Sequence, residues 1–438
     1  MFAALRFLAS MTEIPVPSAL PSSGSRERAD IKRLMIFFAL VYLIEGIGQT
    51  GGLIAQPLNY YLKQVYQWTP VQIAAFLTIL NLPWFINPLY GLISDFVPMF
   101  GYRRKTYLIA ANAMAAAAYL SILQVSSPGS LIFLLLLSAY GMAIASTICG
   151  ALLVQNGQKF DCCGAFVNQQ WLWFNVATIF AALLGGLLIE WLTPLSAVHA
   201  AAAIAGLAPL LAIAGCLLFI DEERSTVSVA GLRESFTGFT GALRSRHLWV
   251  FAGFLFFYYF SPGIDTPLYF YMTDRLKFSQ QFIGALGSIQ AAGWIAAALL
   301  YGTFLHHLRL KSLLYLSILT GVLAAAAFVL LSGAGTAIAV NFCYGAASMI
   351  TAVASLGLAA NYCPKRSEGF AFAVLMSITD VSASLADNVG SFLFEHVFHN
   401  EIAPLVLVAA GFTAVNFLLV PLLGLKDGAT SQGLFAFR

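Results

Sequence analysis

The stretch "GLISDFVPMFGYRRKTYL", residues 91–108, sets Asp95, Arg103, Arg104 and Lys105 in one short gap between two long apolar runs. Charged residues make up only 9% of this 438-residue chain, where soluble proteins carry about a quarter. A cluster of four charges in such a chain marks an address or a moving part, and its surroundings decide which. Outward from it, 60% of the residues are hydrophobic and the mean hydropathy is +0.83. A soluble fold has nowhere to hide that much apolar surface. Apolar runs of spanning length recur along the chain, each near the roughly 20 residues that a helix needs to cross a bilayer. Strands of a membrane barrel would alternate over about 10 residues, and these runs do not. The reading is an all-α integral membrane protein.

Twelve runs stand out, numbered here as spans 1 to 12: 34–59, 70–93, 106–125, 130–154, 167–191, 198–220, 248–272, 279–303, 311–332, 335–360, 369–394 and 402–425. Lys and Arg crowd alternate gaps, with Arg26 to Arg33, Arg103 to Lys105, Lys159, Arg224 to Arg246, Arg309 and Lys311, Lys365 and Arg366, and Lys426 in one set. The other set holds Lys63, Arg275 and Lys277. The positive-inside rule therefore places both termini in the cytoplasm. A multi-pass protein of the cell inner membrane, or an equivalent organelle membrane, is expected. Residues 1–30 are polar and Pro/Ser-rich after a short Arg-interrupted apolar start, and read as a flexible cytoplasmic tail. Residues 31–220 form a first six-span bundle, 221–247 a polar central loop, 248–425 a second six-span bundle and 426–438 a second tail.

The halves resemble each other. An offset of 210 aligns Pro57 with Pro267, Tyr61 with Tyr271, Trp68 with Phe278, Thr69 with Ser279, Ile73 with Ile283 and Trp84 with Trp294. Two pseudo-symmetric bundles of six suggest the major-facilitator architecture, whose halves rock about a site near the bilayer midplane.

The loop wording goes further. "PLYGLISDFVPMFGYRRKTYL" (88–108) resembles the loop of the folate–biopterin transporter family, which reads much like P-L-Y-G-x-x-S-D-x-x-P-x-F-G-Y-R-R-x-x-Y. "NYYLKQVYQWTPVQIAAF" (59–76), "PLYFYMTDRLKFSQQFIGALG" (267–287) and "CPKRSEGFAFAVLMSITD" (363–380) are similar to that family too. The resemblance covers most of 35–425 and implies a carrier of pterin- or folate-like solutes. It departs at Gly150 and Gln155, where the family pattern has acids, and at Glu45-Gly46, where the family tends to Gln-Gly. In such carriers the loop between spans 2 and 3 is a gate, which implies Asp95 as a latch and Arg103 and Arg104 as its partners. The plainer alternative is a topology anchor.

Carboxylates inside an apolar span are costly and need a cause, at least about 2.5–3.5 kcal/mol each on insertion scales. Glu45, Asp265, Asp380 and Asp387 lie within spans, and no Lys or Arg lies comparably deep. Span 1 repeats Glu45, Gln49, Gly52, Gln56 and Asn59 at steps of 4, 3, 4 and 3, which on a continuous helix is one narrow stripe. A polar stripe on a spanning helix faces protein or water. Span 11 carries Ser377, Asp380, Ser384, Asp387, Asn388 and Ser391 on one face. In span 7, Tyr258, Asp265 and Tyr269 accompany Pro262, Gly263 and Pro267, which interrupt the helix as transporter sites and gates often do. In span 2, Asn81 and Trp84 offer an amide and an aromatic wall, with Trp171 and Trp173 of span 5 as alternatives. Asn341 heads a milder stripe on span 10 that suits helix packing and solute contact equally. The expected solute site is thus Glu45, Gln49, Gln56, Asn81, Trp84, Tyr258, Asp265, Tyr269, Asn341, Asp380 and Asp387.

Desolvation favours the neutral form of a carboxyl group, so Glu45 is the first candidate for coupling protons to transport and Asp380 the second. The expected partners are a small-molecule solute, protons and the lipid bilayer, with a monomer as the working unit and no nucleic acid. No cofactor or resident metal is expected, because the six cysteines show no paired zinc spacing. H-E-x-x-H, a nucleophile elbow and a P-loop are missing, which argues against an enzyme. Two alternatives stay open. One is a carrier of another solute, such as an organic cation or a divalent metal held by the four acids. The other is a non-transporting assembly or pigment-delivery factor on the same fold.

Overall fold

A computed structural model describes residues 25–125, 127–160, 162–222, 246–305, 307–362 and 368–425, together with Arg224 and Arg244. Parts of both tails, most of the central loop and the side chain of Asp95 lie outside the described residues. Every span is helical. Span 3 is Lys105–Ile122, span 4 Pro128–Lys159, span 5 Cys163–Trp191 and span 6 Pro194–Phe219. Span 8 is Gln280–Leu300, span 9 Leu310–Ala327, span 10 Ala334–Tyr362, span 11 Glu368–Phe392 and span 12 Ile402–Leu419. Span 2 is nearly continuous, as Pro70–Phe85 and Asn87–Phe96. Among the described residues, eight helices are individually long and apolar enough to cross a membrane, and spans 1, 3, 7 and 11 fall short of that measure.

Spans 1 and 7 are each broken in two. Span 1 runs Ser25–Gly48 and resumes as Ala55–Val65; span 7 runs Arg246–Tyr259 and resumes as Asp265–Asp274. The breaks sit one offset of 210 apart, and Pro57 and Pro267 each hold the third position of the resumed helix. The likeness continues beyond them. Gln67 (φ 56°) and Lys277 (φ 53°) both take the left-handed conformation that ends a helix. Trp68 N then donates to Leu62 O (3.3 Å) and Phe278 N to Met272 O (3.0 Å). Thr69 and Ser279 then cap spans 2 and 8, accepting from Gln72 N and Phe282 N. The aligned Thr and Ser are thus one capping device used twice.

The halves meet where span 5 packs along span 8 and span 2 along span 11. Buried apolar residues form three clusters. One lies in the first half, from Leu34 to Ile220, and one in the second, from Leu248 to Leu423. The third draws on both halves, joining Leu53, Tyr61 and Ile73 to Leu268, Ile283 and Phe394 at the end that carries Lys63. Large apolar side chains such as Phe133, Leu211, Leu323 and Leu418 are exposed on the outside, as a lipid-facing surface requires.

Candidate functional site: an acid-lined cavity between the halves

Each break presents acids to the gap between the halves. In span 1 the chain turns after Gly48, whose freed carbonyl accepts from Tyr119 Oη at 2.6 Å. Gly46 lets the preceding turn press on span 5: a Cβ there would meet Ala177 Cβ at 2.6 Å and Phe174 O at 2.8 Å. Glu45 is fixed by that contact and takes Ser146 Oγ–H on Oε1 at 2.8 Å. In span 7, Gly263 N donates to Ala386 O at 2.7 Å, so the break lies backbone to backbone on span 11. A side chain on Gly263 would meet Asp387 Cα. Asp387 then caps the resumed helix, accepting from Thr266 Oγ1 at 2.7 Å and Thr266 N at 3.3 Å. A carboxylate at a helix N-terminus is well placed against the helix dipole, and Asp265 lies in the same first turn.

A cavity of about 670 Å³ opens between these elements. Glu45, Asp265, Asp380 and Asp387 all line it, together with Gln49, Asn81, Trp84 and Tyr269 of the expected set. The volume lies within the roughly 300–1,000 Å³ usual for small-molecule sites. Sequence reasoning did not single out Thr50, Thr78, Gln170, Phe174 and Thr266, which also line it. They are short or neutral residues in apolar runs, and only the bend of the chain brings them inward.

Three expected residues stand elsewhere. Gln56 belongs to the contact between the halves, its Nε2 donating to Gln280 O at 2.7 Å and Gln280 Oε1 at 3.2 Å. Gln56 therefore leaves the stripe of span 1, whereas Asn59 beyond the break lines the cavity with Glu45 and Gln49. Tyr258 is buried in the second half, its hydroxyl 2.5 Å from Ser317 Oγ. Asn341 is buried and donates to its own helix at Ala337 O, 2.8 Å away. Of the two readings of Asn341, helix packing is the one these contacts fit.

The loop at 91–108 is gripped through its backbone. Glu222 accepts from Arg103 N (2.9 Å), Arg104 N (3.1 Å) and Lys105 N (2.7 Å), and so caps span 3. Lys105 Nζ donates to Ile220 O at 2.6 Å, and Arg33 joins Asp221 at 3.1 Å. The gate expected of Asp95 with Arg103 and Arg104 turns on a side chain outside the described residues. At the far end Lys63 pairs with Asp274 at 2.6 Å, linking span 1 to span 7, and lies 4.4 Å over the Phe270 ring.

A divalent metal held by the four acids finds no support: among the described residues no three His, Cys, Asp or Glu side chains converge to hold an ion.

Comparison with known proteins gives a consistent picture. The folate-biopterin transporter of Synechocystis sp. is 25% identical over 412 residues, covering 90% of this chain and 81% of its own. Folate transporter 2 of Plasmodium falciparum is 22% identical, covering 94% of both chains. Among solved structures, the nucleoside transporter NupG superposes with a TM-score of 0.66 at 15% identity, over 90% of this chain and 99% of that one. A D-xylose-proton symporter does so with a TM-score of 0.67 at 13% identity, over 92% and 99%. Both share the fold of paired six-helix bundles seen here. The BT1 family profile matches residues 46–423, nearly the whole helical body, and the chain belongs to the BT1 family.

Proposed function

We propose that this protein is a proton-coupled secondary transporter that moves a pterin- or folate-like solute by alternating access, as a monomer with its basic loops in the cytoplasm. The observation that carries the reading is that four membrane-embedded carboxylates from both halves line one cavity. A charge in that position is expensive, and a carrier gives it a use. The names of the related transporters supply the solute class.

Glu45 is the coupling acid in this scheme, with Asp380 across the cavity as the second. Ser146 holds one oxygen of Glu45 and leaves the other for the proton. When the acid is protonated the cavity loses a negative charge, and the reclosing of the halves becomes less costly. The scheme is tested in proteoliposomes holding the purified protein. Glu45→Gln is expected to abolish biopterin accumulation driven by a pH gradient while retaining measurable, weakened biopterin counterflow. Full gradient-driven accumulation by the variant would remove Glu45 from this role.

A further inference from the structure

The chemistry of the cavity wall says more about the solute than its class. All four acids face the space, and among the described residues lining it there is no Lys, Arg or His. Glu45 is only 8% exposed, and its Oε2 has no hydrogen-bond partner among the described residues. A buried carboxylate oxygen left in that state is costly. Lys63, at the far end of the halves, is engaged by Asp274. Trp84, Trp171 and Phe174 supply flat apolar faces beside the acids. The Trp171 ring lies 5.3 Å from Trp294 at 31°, so its position is fixed by span 8.

We infer that the cavity selects a flat heteroaromatic solute bearing adjacent N–H donors and no net negative charge, and discriminates against solutes that carry carboxylates. The inference rests on the transporter reading above and narrows its solute. Two neighbouring N–H groups can meet one carboxylate side by side, the geometry that makes paired hydrogen bonds to a carboxylate strong. The ring stacks on the indoles with an offset or edge contact. A carboxylate on the solute would instead bring a like charge into a wall of acids, with no cation to receive it. Whichever of the four acids is ionised repels it, and even beside neutral acids a buried charge without a partner is costly, so a loss of affinity of about tenfold or more is expected. The names of the related transporters cover folates and biopterins alike, and the wall of this cavity separates them: a pterin without a tail fits its charge, and a glutamate tail does not.

The test uses full-length protein in proteoliposomes and competition against labelled biopterin under counterflow, without a pH gradient. Biopterin, folic acid and folic acid diamide share one pterin head. The diamide matches folic acid in size and removes both carboxylates, so it separates charge from bulk. The expected order is biopterin and the diamide competing well, with folic acid weaker than its diamide by tenfold or more. The double variant Glu45→Gln, Asp380→Asn is expected to narrow that gap to about threefold or less, read as a ratio so that a general loss of binding does not mimic it. Folic acid competing as well as its diamide would overturn the inference and leave the transporter reading standing. No counterflow of biopterin at all would overturn both.

Discussion

The two ends of the molecule are held in different ways. At the end bearing Lys63 the contacts cross between the halves: Lys63 to Asp274, Gln56 to Gln280, and Val71 N to Glu395. The apolar cluster there is shared by both halves. At the end bearing the basic loop the described hydrogen bonds and ion pairs close on the first half alone, while Asn87–Phe96 still packs on span 11. Glu222, Asp221 and Ile220 tie span 6 to spans 1 and 3, and the fully buried residues of each cluster come from one half, with Val167 of span 5 packed against both. Between the ends, hydrogen bonds linking spans 11 and 2 run down as far as Ser377 and Trp84 O. One end is thus a joint between bodies and the other is bracing within a body. Rocking the halves would break the first set and carry the second along unchanged.

The strongest way to break that comparison is to wedge the joint. Gly284 of span 8 lies so close to span 5 that a Cβ would strike Ala182 O, and Gly186 makes the reciprocal approach to Gln280 O. The obstacle is backbone and cannot rotate away. Gly284→Val should therefore disfavour the closed joint by about 1–3 kcal/mol, the usual cost of overpacking. Biopterin counterflow is expected to fall roughly tenfold to a hundredfold, with the Lys63 end opened in distance measurements between spin labels on Ala55–Val65 and Asp265–Asp274. Normal counterflow with an unchanged distance would mean that spans 5 and 8 need not close so tightly.

A smaller effect is expected at the ion pair. The Lys63 side chain is 10% exposed and that of Asp274 is 54% exposed, so solvent screens one partner and the pair is worth about 1 kcal/mol. Lys63→Met should shift the spin-label distribution toward separation by roughly fivefold, and Asp274→Asn should do the same. The double variant should cost little more than either alone, because the two groups act on each other. Additive effects would show that Lys63 acts through the Phe270 ring rather than through Asp274.

Much of this was legible in the sequence, for physical reasons. Length and apolarity mark the spans, and acids within them stand out because the membrane makes them costly. The repeat was visible as Pro57 with Pro267 and Thr69 with Ser279, since those residues do local backbone work twice. The break in span 1 was hidden. Gly51 and Gly52 allow it, but no proline lies within the break, and an unbroken 3.6-residue period carried Gln56 onto the wrong face. In span 7, Pro262 and Gly263 announced the break openly. Tyr258 and Asn341 looked like solute contacts because a polar group in an apolar span is conspicuous. Sequence spacing cannot show that Ser317 Oγ or a carbonyl four residues back already satisfies it. Lys63 was read as a gap charge and Glu222 fell unremarked in the polar central loop, because each finds its partner more than a hundred residues away.

The smallest expected effect sharpens the comparison most. Glu222 neutralises three backbone N–H groups at the start of span 3, where the helix dipole also favours a negative charge. Glu222→Ala removes that cap, at a cost of about 0.5–2 kcal/mol by analogy with other N-terminal caps. Thermal melting of the purified protein should drop by about 2–4 °C for each kcal/mol lost. All four residues involved belong to the first half, so the cost is expected to fall equally on every arrangement of the halves. The spin-label distances at the Lys63 end should then match those of the wild type, as should biopterin counterflow below the melting range. Lys63→Met should show the reverse pattern, a moved equilibrium with little loss of melting temperature. If Glu222→Ala instead separates spans 1 and 7, the bracing at the basic end is part of the joint, and the two ends are not the independent devices their contacts describe.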